Sequence, residues 1–160
     1  MGEAIKERWD RYFLGLALAA SRMSRDPSTR VGSIIVLEGS VISTGWNGFP
    51  QGIAEDSRMD DREVKLKLMV HGEMRAILSA ARVGTSVQGA TLYTACEGTA
   101  GIWGGPPCTR CAVECIEAGI REVVSYPFKS VPSRWLDDLR LAELLLQEAH
   151  VIFRSVPLPT

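Results

Sequence analysis

His71-Gly72-Glu73 and Pro107-Cys108-Thr109-Arg110-Cys111 are the two short segments of this 160-residue chain whose residue types can do chemistry together. An imidazole and two thiols suit zinc. A catalytic zinc takes three protein ligands and leaves its fourth position to water, whereas structural sites usually close with four. His71, Cys108 and Cys111 supply three. Both segments stand where helices are expected to start, and the unpaired N–H groups and dipole of a helix N-terminus stabilise thiolates. Glu73 is two residues from His71, a spacing that does not bring both side chains to one spot on a helix, so it belongs beside the metal rather than on it. Zinc brings the pKa of a bound water to about 7, and a neighbouring carboxylate can remove that proton, hold it and deliver it to a substrate. This is the chemistry of hydrolytic attack on an amidine-like carbon.

The pool for such work is small, with two histidines and four cysteines in the whole chain. A redox role for the Cys108–Cys111 pair is the competing reading, and the nearby His-x-Glu speaks against it. Cys115, one helical turn past Cys111, reads as a small buried apolar residue. Cys96 leaves an alternative open: folded toward the site, it would complete a closed Cys₃His structural zinc in a non-catalytic scaffold or nucleotide-binding regulator, leaving Glu73 without a task.

The elements that must position these residues alternate along the chain. Trp9, Tyr12, Phe13, Leu16, Ala17 and Ala20 recur at three- and four-residue steps, which predicts a helix over 4–23 with that stripe buried. Two β-rich runs, Val31–Leu37 and Val41–Trp46, flank Glu38-Gly39-Ser40 and read as a hairpin. Residues 47–68 read as a long loop with some helix. A helix over His71–Ala81, a strand over Ala90–Ala95, a glycine-rich loop over 97–107 and a helix from Cys108 to Ala118 follow, the last closed by Gly119. A strand over Arg121–Tyr126, an amphipathic helix over Pro132–Ala149 and a strand over His150–Phe153 complete the chain. Alternating helix and strand imply crossover connections and a sheet covered on both faces. No repeat or linker interrupts the sequence, so a single domain over 1–160 is expected.

Eighteen basic residues against nineteen acidic give a net charge of −1. That balance lacks the basic excess of a protein held mainly by a nucleic-acid backbone, so a polymeric nucleic acid is not the expected partner. No run of eighteen apolar residues occurs, and the start, MGEAIKERWDRYF, is charged from residue 3. No membrane span is expected, and a cytoplasmic location is.

His-x-Glu followed by Pro-Cys-x-x-Cys is the signature of zinc-dependent nucleobase deaminases, in which the Glu shuttles protons and is not a ligand. Beyond that signature, SRDPSTRVGSIIV, GWNGFPQGI, VHGEMRAIL, PPCTRCAVECIEAGI and VIFRSVP resemble, in order, the blocks of the deoxycytidylate (dCMP) deaminase family over nearly the whole chain. The resemblance implies a three-layer α/β/α sandwich around a mixed five-stranded sheet. It implies one catalytic Zn²⁺ on His71, Cys108 and Cys111, Glu73 as catalytic acid-base, and conversion of dCMP to dUMP and ammonia. It places Asn47 at the nucleotide, a role its amide suits because it both donates and accepts. It further implies a homo-oligomer, dimer or hexamer, and regulation by dCTP and dTTP with Mg²⁺ accompanying the nucleotide effector.

Three positions depart from that pattern. Gly72 stands where Ala or Val is usual, at a cost of roughly 1 kcal/mol inside a helix and less at its end. Arg75 replaces the common Asn, where it could alter the pocket or face a subunit interface. Residues 97–105 look like an insertion between strand and Pro-Pro-Cys, with Trp103 at the rim either stacking on a base or anchoring the loop. These departures keep open a second enzymatic reading, deamination of a modified cytosine nucleotide, a nucleoside or a free base. A tRNA adenosine deaminase carries the same two motifs. Arg22, Arg25 and Arg30 flank the RDPST block, either as solvated charge or as phosphate-binding cations, Arg25 being the leading candidate.

Overall fold

A computed structural model describes residues 2–128 and 131–160. Helix α1 (Glu3–Ser21) leads into strands β1 (Thr29–Leu37) and β2 (Ser40–Trp46). The hairpin between them turns on Glu38 and Gly39, both at positive φ, 51° and 78°, as a two-residue turn matched to strand twist requires. A 3₁₀ turn (Ser57–Met59) and α2 (Arg62–Leu68) occupy the long loop, with Asp56 and Asp61 capping them by accepting from the Arg58 and Val64 N–H groups. Then follow α3 (Gly72–Arg82), β3 (Thr91–Gly98), β4 (Gly101–Trp103), α4 (Thr109–Glu117), β5 (Glu122–Ser125), α5 (Ser133–Glu148) and β6 (Ile152–Ser155).

Five strands run in the order β2-β1-β3-β5-β6, and β4 pairs with the end of β3 as a sixth. The sheet is mixed. The pairs β2/β1, β1/β3 and β3/β4 are antiparallel, whereas β3/β5 and β5/β6 are parallel. Strand alternation divides the core into two apolar clusters. On one face Phe13, Leu14 and Ala17 of α1 pack against Ile34, Tyr93 and Val124. On the other, Ala76 and Ala80 of α3, Ala112 and Cys115 of α4, and Ala142 and Leu146 of α5 pack on Ile35, Leu92 and Val123. The result is the three-layer α/β/α arrangement expected from the element order.

Two features differ from the periodicity reading. The buried stripe of α1 runs through Asp10, Phe13, Leu14, Ala17 and Ala20, while Trp9 and Tyr12 are half exposed. Asp10 occupies the inner stripe because Arg154 and Tyr93 wait there for its carboxylate. The glycine-rich stretch after β3 is a hairpin, with Cys96, Glu97 and Gly98 paired to Trp103, Ile102 and Gly101. Its glycines dilute the β pattern, which conceals the short strand.

Candidate metal centre and active site

His71 is the N-cap residue of α3 and Cys108 that of α4, so two helix N-termini converge where β3 ends. His71 Nδ1 lies 3.4 Å from Cys108 Sγ and 3.3 Å from Cys111 Sγ. All three ligand atoms fall within 4.8 Å of one another. A tetrahedron with Zn–N near 2.0 Å and Zn–S near 2.3 Å has N–S edges of about 3.5 Å. The observed spacings are close to that, and the His-Cys-Cys donors are ones zinc prefers, so the residues fit the ion. Among the described residues Cys96 is not in this group, so the donor set numbers three.

The electrostatics prepare a thiolate. A hydrogen bond with Cys111, reinforced by His71, draws the Cys108 thiol down to about 4 against the opposing effect of burial. The same bond, together with burial, pushes Cys111 up, so without metal the pair shares one proton. The Cys108 thiolate in turn raises His71 to about 8. Burial pushes the Cys96 thiol well up, which keeps it protonated.

Glu73 sits in the first turn of α3, only 5% exposed, outside the metal-donor trio. Its Oε1 accepts a hydrogen bond from Thr94 Oγ1 at 3.3 Å, and Ser33 Oγ donates to that hydroxyl at 3.1 Å. Burial raises its proton affinity, and the Cys108 thiolate adds to the effect. Neither the Ser33–Thr94 relay nor one further contact belongs to the sequence motifs. Thr109, just past Cys108, gives its N–H to Asp138 Oδ2 at 2.9 Å and its hydroxyl to the Asp138 carbonyl at 2.9 Å. Asp138 thus holds the start of α4 from α5. Only the polar position in an otherwise amphipathic helix hints at it.

The remaining candidates fall into place unevenly. Asn47 is buried, and its amide is engaged by backbone: Oδ1 accepts from the Val31 N–H at 2.8 Å and Nδ2 donates to the Thr29 carbonyl at 2.9 Å. One N–H and one lone pair remain for a ligand. Trp103 is 7% exposed, and its indole Nε1 is buried near Gly98 without a hydrogen-bond partner among the described residues. Arg25 is exposed. Arg22 and Arg30 line a cavity of about 420 Å³ with Ser28, Glu97 and Gly98, and Arg22 pairs with Glu97 at 3.6 Å. Arg25 is not among the residues lining it. A larger cavity, about 670 Å³, opens at the other end of β3 beside Thr91 and Tyr93 and contains none of the metal donors.

Fold and site together define a class, the zinc-dependent hydrolytic deaminases. Residues 7–126 match the family model for the cytidine and deoxycytidylate deaminase zinc-binding region. The chain is 33% identical over 154 residues to deoxycytidylate deaminase of Pongo abelii, covering 92% of this chain and 79% of that one. It is 29% identical over 152 residues to an uncharacterized deaminase encoded in the luxG 3' region of Aliivibrio fischeri, covering 94% and 95%. Its fold resembles that of the dCMP deaminase of cyanophage S-TIM5, with a TM-score of 0.70 at 22% identity, covering 98% of this chain and all of that one. The protein belongs to the cytidine and deoxycytidylate deaminase family. Among the described residues no helix is long and apolar enough to cross a membrane.

Proposed function

We propose that the protein deaminates dCMP to dUMP, releasing ammonia. The observation that carries the reaction type is Glu73, buried beside the His71–Cys108–Cys111 trio without belonging to it. Zinc held by that trio supplies Lewis acidity that makes water acidic near neutral pH. Glu73 accepts the proton that the water loses and passes it to N3 of the ring as the water oxygen bonds to C4. The carboxylate then takes the proton of the new C4 hydroxyl and delivers it to the exocyclic nitrogen; the C4–N electron pair leaves with that nitrogen as ammonia, and the C4 oxygen becomes the carbonyl. Thr94, bonded to Oε1, holds the carboxylate in place through the proton transfers.

The choice of dCMP is supported by the RDPST and GWNGFP blocks, by relatives named deoxycytidylate deaminase, and by the S-TIM5 enzyme, whose structure was determined with dCMP and dUMP at 23% identity to this chain. The free N–H and lone pair of Asn47 suit a sugar hydroxyl, and Arg22 and Arg30 offer cations for a phosphate, with Arg25 exposed on the same loop. A homo-oligomer and regulation by dCTP and dTTP with Mg²⁺ belong to the same proposal and rest on the sequence resemblance alone. The β3–β4 hairpin favours a second reading, a different small cytosine compound, because it adds structure at the rim where the family runs almost directly from strand to Pro-Cys.

Glu73→Gln is expected to retain zinc and lose turnover by about a thousandfold, within the range for a lost acid-base group. Wild-type dCMP turnover in that variant would sink the mechanism. Ammonia release from dCMP, CMP, dCTP, cytidine, cytosine, guanine and tRNA adenosine decides the substrate.

A further inference from the structure

Arg75 leaves α3 two residues past Glu73 and reaches across to the segment that follows β2. Its Nε donates to the Trp46 carbonyl and its Nη2 to the Phe49 carbonyl, both at 2.7 Å. The guanidinium lies over the Trp46 ring, 5.8 Å from its centroid. The two carbonyls bracket Asn47 and Gly48. Gly48 exchanges backbone hydrogen bonds of 3.1 and 2.8 Å with Val70, the residue before His71. On the far side of the segment the Phe49 N–H reaches Glu55 Oε1 at 3.3 Å. A Cβ at Gly48 would stand 2.4 Å from that oxygen and 3.4 Å from Arg75 Nη2, so a larger residue there would push the Glu55 carboxylate aside. Residues 46–49 are therefore gripped from both sides of the His71–Glu73 turn, by Val70 before it and Arg75 after it. Asn47 passes the grip onward to β1 through Thr29 and Val31.

We infer that Arg75 is a positioning residue that latches the Trp46–Phe49 segment to the helix carrying Glu73, fixing Asn47 relative to the metal donors. The inference rests on the proposed deaminase reading for its effect on substrate, though not for the latch itself. A planar fork is needed because two carbonyls and an aromatic face are served at once, which a lysine ammonium does not match.

The test uses the zinc-loaded full chain with Arg75→Met, Arg75→Ala and Arg75→Lys. Removing charge-assisted hydrogen bonds should speed amide exchange across 46–55 by about tenfold, with residues 72–82 and zinc content unchanged. KM for dCMP should rise by about tenfold in Met and Ala while kcat changes by less than about threefold, with Lys intermediate. Guanidinium at a non-denaturing concentration should restore part of the KM in Arg75→Ala. Unchanged exchange over 46–55, loss of zinc or of α3 protection along with it, or a fall in kcat at constant KM would each overturn the latch. If the wild-type protein does not turn over dCMP, the functional reading fails, and the exchange measurement still decides the latch.

Discussion

His71 must be neutral to bind a metal, yet in the metal-free protein the Cys108 thiolate holds its proton until the pH passes about 8. Below that value the charged imidazole is stabilised by its thiolate neighbour, and above it that stabilisation is lost. Zinc gains as the proton leaves. The affinity of the stripped protein for zinc should therefore climb steeply up to about pH 8, where His71 and Cys111 each release a proton on binding, and more gently above it, where only Cys111 still does. A chelator competition across that range measures this, and a flat profile would contradict it. Cys96→Ser should keep both zinc and turnover, since its sulfur lies outside the donor trio; loss of zinc would restore the closed four-ligand site. The trio and Glu73 were legible in the sequence because both motifs are compact and open helices. The hydroxyls behind Glu73 were not, since Thr94 and Ser33 are separated by 61 residues and only strand register makes them neighbours.

Helices settle on this sheet through missing side chains. A Cβ on Gly32 of β1 would fall 1.9 Å from the Ala17 carbonyl of α1, and one on Gly45 of β2 would fall 2.2 Å from the Gly72 carbonyl of α3. Both helices thus touch strand backbone directly. Gly32→Ala should destabilise the fold by on the order of 3 kcal/mol, the upper end for overpacking, or prevent folding; a denaturant titration measures it. Gly72 follows the same logic, because its own Cβ would come within 2.9 Å of the Val31 carbonyl, which gives a packing reason for the glycine in His-Gly-Glu. Asp138→Ala should lower zinc affinity by about tenfold, the lower end for a residue that orients a ligand-bearing element, with α5 intact by circular dichroism. Element order was readable from periodicity. The inner face of α1 was not, because Trp9 and Tyr12 look like core residues and Asp10 does not, and the partner that draws Asp10 inward stands 144 residues away.

That partner, Arg154 of β6, ties the chain's last strand to its first helix. It grips Asp10 with two nitrogens at 2.8 and 3.1 Å and pairs with Glu122 of β5 through its Nε, while the Tyr93 hydroxyl donates to Asp10 at 2.9 Å. Arg154→Met leaves the buried Asp10 carboxylate without its cation and Glu122 with only Lys6 at 4.0 Å, and should cost about 3 kcal/mol, the lower end for breaking such a pair because Arg154 is a quarter exposed. Equilibrium unfolding of the variant reads it directly. This network sits at the start of β3 and the metal donors near its end, so damage there should reduce stability and leave the kinetics of the surviving folded molecules unchanged. The β3–β4 hairpin has the complementary property. Because Cys96 stands opposite Trp103 across an antiparallel pair, the chain departs and returns at points about 5 Å apart. The intervening residues form a self-paired cassette, one that evolution or an engineer can shorten, lengthen or exchange while the rest of the sheet keeps its frame.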